Sequence, residues 1–204
     1  MDDYIKVVRE RVSDFSIRQT ILFGALNCEK MLRGYKIFTE LEVWGDYNFF
    51  LSLTEYVYSD ILENNSKVYY ELSKKELERN FPDLDNFQTA AASYAFDMCV
   101  AFDELLMLIL DDSREHALNI SRTVIDTVDM FIQQKENVTV TRYEDLPALE
   151  AMIDNDVFMK KEIERQMSLL RTINDASEIN EELIKSIRSF NQNLDELIDY
   201  SYLY

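Results

Sequence analysis

Three acidic side chains interrupt the most apolar stretch of the sequence. In SYAFDMCVAFDELLMLIL, residues 93–110, these acids are Asp97, Asp103 and Glu104. Positions 97 and 104 are seven residues apart, close to two helical turns, so Asp97 and Glu104 lie on one stripe of a helix. Such a stripe is typical either of a ligand or metal site or of a polar helix edge that is solvated or paired with Arg.

The spacing of these acids argues against a metal site. Hard cations accept carboxylate oxygens, and Asp97 and Glu104 with Asp126 or Asp129 would provide them. Seven residues separate the first two acids by about 10 Å along the helix axis, too far for one ion without ligands from elsewhere. A ferritin-like di-iron site needs two Glu-x-x-His pairs, and the sequence contains one histidine, His116. We predict neither a metal nor a cofactor.

A cysteine nucleophile is the next candidate chemistry. Cys28 or Cys99 with His116 would form an activated thiolate pair only if the fold brought them within hydrogen-bond reach. Both cysteines fall on apolar helical faces, where a free thiol is normally an inert hydrophobic residue. They stand 71 positions apart with no metal-ligand spacing, which is typical of a reducing compartment. No catalytic residue is predicted.

Helical patterns account for nearly the whole chain, which contains only 3 Gly and 2 Pro. A capping box at Ser16 and Gln19 predicts a helix that ends at Gly34. Gly24, inside this helix, indicates the close approach of another helix. Asp46, in the Trp-Gly-Asp turn, is the predicted N-cap of the next helix.

The remaining elements follow from periodicity and caps. Asp112 or Ser113 is the predicted cap of the helix after the central one. Phe158, Ile163, Met167 and Leu170 indicate an apolar stripe of a helix near the C-terminus, and the tyrosine and methionine stripes are interpreted as core rather than as a ligand cavity. The predicted elements are a loop over 64–72, a short helix from 73, the central helix over 86–110, an antiparallel helix over 113–134, an extended loop over 135–147, and helices over 148–174 and 178–204.

The charge balance limits the classes of partner. The formal net charge is −18, and residues 40–115 hold 17 acidic against 5 basic residues. Such a field repels phosphate backbones and anionic lipid surfaces, so we expect no direct nucleic-acid or membrane binding. The N-terminus lacks a signal sequence, and the longest apolar run contains three acids, so we expect a cytoplasmic protein. A positively charged protein is the expected partner.

Five spaced blocks of the sequence form a recognisable pattern. The blocks are CEKM (28–31), WGD (44–46), FDMCVAFDEL (96–105), HALNISRTVIDTVDM (116–130) and LPALE (146–150). In this order they resemble the YjaG-like family, catalogued as domain of unknown function 416. The resemblance spans most of the chain and implies a small all-helical bacterial cytoplasmic protein without an established activity. This sequence departs from the family pattern over residues 137–145 and in the aromatic tail.

We therefore predict an all-α single domain over residues 1–204, a bundle of seven to nine helices around the central helix. The function expected first is a non-enzymatic interaction module, immunity-like or inhibitor-like, that binds a basic partner. The alternative is an enzyme or a metal- or ligand-binding protein that uses the Asp97/Glu104 stripe. The oligomeric state is left open. The candidate ligand or partner site comprises Asp97, Glu104, His116, Cys28, Glu29 and Asp46.

Overall fold

The computed structural model describes residues 2–63, 67–138 and 145–203, and within these ranges the chain forms nine α-helices, a C-terminal 3-10 turn and no β-strand. This confirms the predicted all-α class. None of the helices described is both long and apolar enough to cross a bilayer. The helices are α1 (Asp2–Asp14), α2 (Ile17–Glu42), α3 (Tyr47–Glu63), α4 (Val68–Glu78), α5 (Ala90–Asp111), α6 (Glu115–Lys135), α7 (Leu146–Asn155), α8 (Val157–Asp175) and α9 (Glu181–Asn193), followed by the 3-10 turn Tyr200–Leu203.

The central helix is α5, which lies between α2 and α6 and is antiparallel to both. On the α6 side, Glu104 meets His116 while Tyr94, ten residues earlier, meets Gln134 near the other end of α6. On the α2 side, the Cys28 thiol donates to the Ala101 carbonyl. Because α5 has neighbours on most sides, most of its apolar residues are buried and the others are partly buried, as the pattern of its sequence predicts.

Gly24 lies where α2 comes closest to its neighbours. A Cβ atom at this position would stand 3.1 Å from the Cδ1 atom of Ile120 and 3.3 Å from that of Leu105. These residues belong to α6 and α5, so the prediction of a close helix approach at Gly24 is confirmed. The cost of glycine in a helix interior, about 1 kcal/mol relative to alanine, is offset here by the contact that it permits.

The prediction that this helix ends at Gly34 is wrong. The capping box at Ser16 and Gln19 starts α2 as predicted, but α2 continues to Glu42. Tyr35, Ile37 and Phe38 are buried beyond the glycine. Burial of three large side chains contributes several kcal/mol, more than the helix penalty of one glycine, so the sequence signal for a cap is overridden.

Other predicted boundaries in the first two thirds of the chain also move. The predicted loop over 64–72 is helical from Val68, so Ser73 lies inside α4 and does not cap it. The central helix begins at Ala90, because the Thr89 side chain accepts a hydrogen bond from the Ala92 amide. Asp112 is the left-handed C-cap of α5, and neither Asp112 nor Ser113 caps α6.

The C-terminal third differs most from prediction. The single helix predicted over 148–174 is two helices, broken where the Asp156 carboxylate caps α8 through the Phe158 amide. The last helix ends at Asn193 and does not continue to the tail. Of the loop predicted over 135–147, residues 139–144 lie outside the described residues.

The buried face of α8 is only partly the one predicted. Leu170 is buried, whereas Phe158, Ile163 and Met167 are only partly buried. The face that meets the core is rotated by about one residue and includes polar side chains. Its members are Met159, Glu162, Arg165, Gln166, Leu169, Leu170 and Ile173.

Two glycines in α2 give opposite expectations for stability. Gly34→Ala places its Cβ at ordinary contact distance, 3.5 Å from the Tyr200 ring, so we expect the free energy of unfolding to rise by about 0.5–1 kcal/mol. Gly24→Val must displace Ile120 and Leu105, so we expect a fall of about 1–3 kcal/mol. Urea denaturation of both variants checks this, and equal effects of the two changes would contradict the assigned helix contact.

Candidate functional site

The acids of α5 form a seam along its contact with α6. Asp97, Glu104 and Asp111 all face α6 and are all bonded to its side chains. Asp103 lies on another side of α5, where it forms an ion pair with Lys74 of α4 at 3.1 Å. The structure therefore separates the three acids of the opening stretch between two different neighbours.

His116 is held between two of the seam acids. Its Nδ1 atom lies 2.5 Å from a Glu104 oxygen, and its Nε2 atom lies 3.0 Å from an Asp111 oxygen. Asn119, one turn further along α6, also donates to Glu104, at 3.1 Å. Partial burial on its own lowers the pKa of His116, but the hydrogen bonds to Glu104 and Asp111 outweigh burial and raise it. A protonated imidazole that donates to two carboxylates is the species this geometry favours.

Asp97 occupies a drier part of the seam. Its carboxylate accepts a hydrogen bond from the Thr127 hydroxyl at 2.9 Å. Burial raises the pKa of Asp97 to about 6; the Thr127 hydrogen bond opposes this shift, and the nearby charge of Asp126 adds to it. A carboxyl group with such a pKa exchanges protons near neutrality, which is the property of a general acid or base.

The seam shows no metal-binding arrangement. No group of three or more His, Cys, Asp or Glu side chains is placed to hold an ion among residues 2–63, 67–138 and 145–203. Asp126 and Asp129 line an open depression of about 510 Å³ beside α6. Burial raises the pKa of Asp126, with a smaller effect from the charge of Asp129.

The two thiols are structural. Cys28 donates to the Ala101 carbonyl and Cys99 to the Asn80 carbonyl, each at 3.3 Å. Both side chains are fully buried, and burial raises the pKa of each thiol well above its usual range. The structure does not bring either cysteine to His116, whose ring nitrogens are both occupied by carboxylates.

Glu29 belongs to a separate ion-pair cluster that joins α2, α3 and α9. Its side chain is 7% exposed and lies 2.7 Å from the Nη2 atom of Arg188. Arg188 also pairs with Glu55 and stacks over the Tyr58 ring at 4.1 Å, and the Tyr58 hydroxyl donates to Glu29. Each of these groups is bonded to another, so the cluster ties helices together.

Asp46 performs the capping role that the sequence predicts. Its carboxylate accepts from the Phe49 amide at 3.1 Å, at the start of α3. Its own amide donates to the Asn80 side chain, which in turn donates to the Glu76 carbonyl. The Tyr35 hydroxyl donates to the Asn80 carbonyl at 3.0 Å. Asn80 thus fastens the turn between α2 and α3 to the end of α4.

This turn and the segment after α4 form one face at the end of the molecule. Residues 40–46 and 80–89 lie side by side, since Thr89 donates to Glu42 and the Trp44 and Phe87 rings are 5.3 Å apart. We call the exposed surface of these two segments the turn face. Its apolar members are Leu41, Val43 and Leu84, and its acidic members are Glu40, Glu42, Asp46, Asp83 and Asp85.

Sequence reasoning missed a buried polar network between α2, α8 and α9. Arg165 and Glu162 form an ion pair in which each side chain is 3% exposed. Arg165 also donates to Asn27 at 2.6 Å and to Asn191 at 2.8 Å, and Asn191 donates to the Leu26 carbonyl. All the guanidinium nitrogens therefore have acceptors.

The same network continues toward α1 and α6. Gln166 donates to Glu162 at 2.7 Å and accepts from both Tyr4 and Ser121 at 2.7 Å. The sequence held a signal for this network. Asn27 interrupts an apolar run, and residues 162, 165 and 166 place polar side chains at one helical face beside Leu169.

Comparisons with known proteins place the chain in a family. The family described as "Protein of unknown function (DUF416)" matches residues 7–196. The chain belongs to the DUF416 family. This membership confirms the resemblance carried by the five sequence blocks, which include Cys28, Glu29, Asp46, Asp97 and His116.

Relatives of this DUF416 member share its sequence over most of their length. It is 27% identical to the uncharacterized protein YjaG of Salmonella typhimurium and 26% identical to YjaG of Escherichia coli strain K12, over 174 residues that make up 84% of each chain. The crystal structure of a DUF416 family protein from Shewanella baltica OS155 is similar with a TM-score of 0.80 at 27% identity. That similarity covers 90% of this chain and 92% of the other.

The raised pKa of Asp97 predicts that a neutral replacement stabilises this DUF416 protein. The folded state holds a proton on Asp97 up to about pH 6, whereas the unfolded chain loses it near 3.9, so the contribution of Asp97 to stability falls as pH rises through this interval. We expect Asp97→Asn to raise the free energy of unfolding by up to about 3 kcal/mol at pH 7.5, because the pKa shift is about two units and each unit corresponds to about 1.4 kcal/mol.

Urea denaturation over a pH series measures this effect. The gain from Asp97→Asn should shrink as pH falls toward 4. The control is Asp103→Asn, which removes a carboxylate paired with Lys74 at the surface and should change stability by less than about 1 kcal/mol. A loss of stability for Asp97→Asn at pH 7.5 would show that the charged carboxylate is a structural partner.

His116 should also make the free energy of unfolding fall as pH rises. Its folded pKa is raised, so the folded state keeps a proton that the unfolded chain releases near pH 6.5. The stabilisation is fully present below pH 6.5 and is lost as pH rises through the folded value. We expect His116→Gln to destabilise the protein more at pH 5.5 than at pH 8.5, measured by urea denaturation. A difference that is constant with pH would exclude a protonated His116.

Proposed function

We propose that this protein is a non-enzymatic interaction module that docks a positively charged protein on its turn face. The single observation behind this proposal is the composition of that face. Segments 40–46 and 80–89 carry five carboxylates and no Lys or Arg, and they also carry three exposed aliphatic side chains. An apolar centre with a charged rim is the usual plan of a protein-protein interface.

The apolar centre is built around Val43. Its side chain is 89% exposed, and Leu41 and Leu84 are each 41% exposed. Isolated exposed aliphatic residues are ordinary, but these three lie on two segments that the contact between the half-buried Trp44 and Phe87 rings joins. A partner side chain that covered Val43 would remove apolar surface from water at about 25 cal/mol per Å².

The rim determines the charge of the partner. Glu42, Asp46, Asp83 and Asp85 form no ion pair with any described Lys or Arg, and their hydrogen bonds come from Thr89 or from neighbouring amide groups. Unpaired carboxylates at a rim attract a basic surface, speed encounter and repel acidic partners. An immunity-like or inhibitor-like role fits this chemistry.

The same proposal includes a cytoplasmic location. Cys28 and Cys99 are free, buried thiols that are not paired with each other. Free thiols of this kind persist in reducing compartments. The alternative function, a metal or ligand site on the Asp97/Glu104 seam, would have to displace Thr127, His116 and Asn119 from the carboxylates they now contact.

Val43 permits a test in which loss of binding is separated from loss of fold. It adopts a left-handed backbone conformation, with φ 52°, which costs a β-branched residue roughly 1–2 kcal/mol and which asparagine tolerates better. Val43→Asn should therefore keep or raise the melting temperature. We expect the same variant to weaken partner binding, because the exposed apolar centre of the face is lost.

The measurement is affinity capture from native lysate over a salt series, with the captured protein identified by mass spectrometry. The rim is tested by the pair Asp83→Asn and Asp85→Asn. The matched controls are Val157→Asn, which removes an aliphatic side chain 53% exposed on α8, and the pair Asp14→Asn and Asp175→Asn. The last two lie near the start of α2, roughly 38 Å along that helix from the turn face.

The proposal predicts one basic partner that is released as salt rises and lost with the turn-face variants but kept by the controls. Capture of no partner at low salt, or of one indifferent to salt, would contradict the function. If a salt-sensitive partner binds the control variants as weakly as the turn-face variants, the proposed binding of a basic partner stands, but its assignment to the turn face is contradicted. Loss of binding by Asp97→Asn with Glu104→Gln alone would favour the seam.

A further inference from the structure

A cavity of about 430 Å³ lies between α8 and the chain that follows α9. This volume is in the range of sites that hold small molecules. Phe158 of α8 and Phe190, Leu194 and Leu197 of the C-terminal part supply apolar walls. Phe190 is 42% exposed, so an apolar ligand that covered it would remove a large ring from water.

Lys30 of α2 lines this cavity and has an unusual environment for a lysine. Its ammonium donates to the carbonyls of Asn191 and Leu194, at 3.1 and 3.2 Å. It forms no ion pair with a carboxylate in the described part of the chain. An ammonium group has three N–H donors, so one donor and the whole positive charge are left for a further acceptor.

Most of the other charged groups that line the cavity form ion pairs. Glu162 is paired with Arg165, and Asp195 is paired with Lys161 at 2.5 Å. Glu196 is paired with Arg33 outside the cavity. Burial and then the neighbouring charge of Arg165 lower the pKa of Lys30, while Glu162, Glu196 and Asp195 oppose the shift. Lys30 is therefore the lining cation without an ion pair, and the exposed Glu164 is a lining carboxylate without an ion pair to any described residue.

We propose that this cavity binds a small amphiphilic anion, with one carboxylate or sulfonate on Lys30 and an aromatic or aliphatic body against Phe158, Phe190 and Leu194. A charge-assisted hydrogen bond to a partly buried ammonium fixes the anionic end. The apolar walls hold the body through burial of surface. A protein with a net charge of −18 repels anions in general, so binding depends on this local charge.

The cavity also has room for a longer ligand. A second cavity of about 490 Å³ adjoins it and shares Phe158, Lys161, Asp195 and Glu196 with it. The Lys161–Asp195 ion pair, 55% and 74% exposed, borders both spaces. Exposed ion pairs of this kind contribute only about 0–1 kcal/mol, so an aliphatic chain can displace the pair and extend toward Tyr200.

This site is independent of the proposed function. Position 30 lies about 20 Å along α2 from the turn face at position 43. The occupant is also of another class, since the turn face attracts cations and the Lys30 cavity takes an anion. Failure of one proposal therefore leaves the other intact.

The test uses two probes with nearly the same body and different charge. 1-Anilinonaphthalene-8-sulfonate carries a sulfonate, whereas N-phenyl-1-naphthylamine lacks it, and both report apolar burial by fluorescence. We expect the full-length protein to bind one equivalent of the sulfonate probe at least roughly tenfold more tightly than the neutral probe. Octanoate should displace the bound probe and octanol should do so more weakly.

Two variants test the contributions of the Lys30 charge and of the apolar walls to probe binding separately. Lys30→Met keeps the aliphatic stem and should remove the preference for the sulfonate, while binding of the neutral probe stays the same. Phe190→Ser should weaken the binding of both probes, and this variant still tests the site if Lys30→Met does not fold. Lys36→Met, on the surface of the same helix, is the matched charge control and should change neither probe.

Three outcomes would overturn the site. They are equal affinity of the wild-type protein for both probes, an unchanged sulfonate affinity in folded Lys30→Met, and no saturable binding of either probe below about 1 mM. A thermal melt of each variant, recorded without probe, shows that the fold is retained. Binding of many equivalents of probe would also contradict a defined cavity.

Discussion

Close packing of α5 between α2 and α6 is the constraint on which the rest of the structure depends. Because α5 is enclosed on most sides, each polar group on it must find its partner on the helix that covers it. Thr127 and His116 of α6 meet two of these acids, and Lys74 of α4 meets the third. Buried polar groups without partners are costly, so these contacts fix the rotation and register of α5 against its neighbours.

Charged side chains are arranged differently in the interior of the bundle and on its surface. Inside, the few charged groups are bonded in closed sets, as for Arg165 with Glu162 and for Arg188 with Glu29. Removing one partner of such a pair costs about 3–5 kcal/mol, because the other charge stays buried. The excess negative charge is therefore carried by surface loops and helix ends, where water and salt screen it.

Periodicity and caps were enough to predict the all-α class, the central helix and its antiparallel neighbour. They were sufficient because the apolar stripes of α5 and α6 are long, and because Ser16 and Asp46 cap their helices through local hydrogen bonds. The predicted end of α2 was wrong, since the burial of Tyr35 and Phe38 outweighs the preference of Gly34 for a helix C-cap. Local signals report the backbone near a residue, whereas burial depends on partners far along the chain.

The candidate site was predictable to the same extent. That Asp97 and Glu104 share a stripe follows from helical spacing, and that α6 lies beside α5 follows from the short connection. That the stripe faces α6 and is bonded to Thr127, His116 and Asn119 was not predicted, since the stripe was expected to be solvated or paired with Arg. The hydrogen bond between His116 and Asp111 depends on the residue at which α5 ends. The sequence pattern did not predict that end to within one residue. The α8 network was missed because polar residues were assigned to solvent by default, and only Asn27 and Asn191 on other helices make their burial favourable.

The attachment of α9 has a further consequence. Arg188 and Asn191 join this helix to α2, α3 and α8 through bonds that are all made together. A helix held mainly by apolar surface can slide by small steps, but polar groups that satisfy one another in a closed set lose most of their stabilisation when one bond opens. Opening any one of these bonds therefore weakens the others, so this polar set holds α9 in one register against α2, α3 and α8.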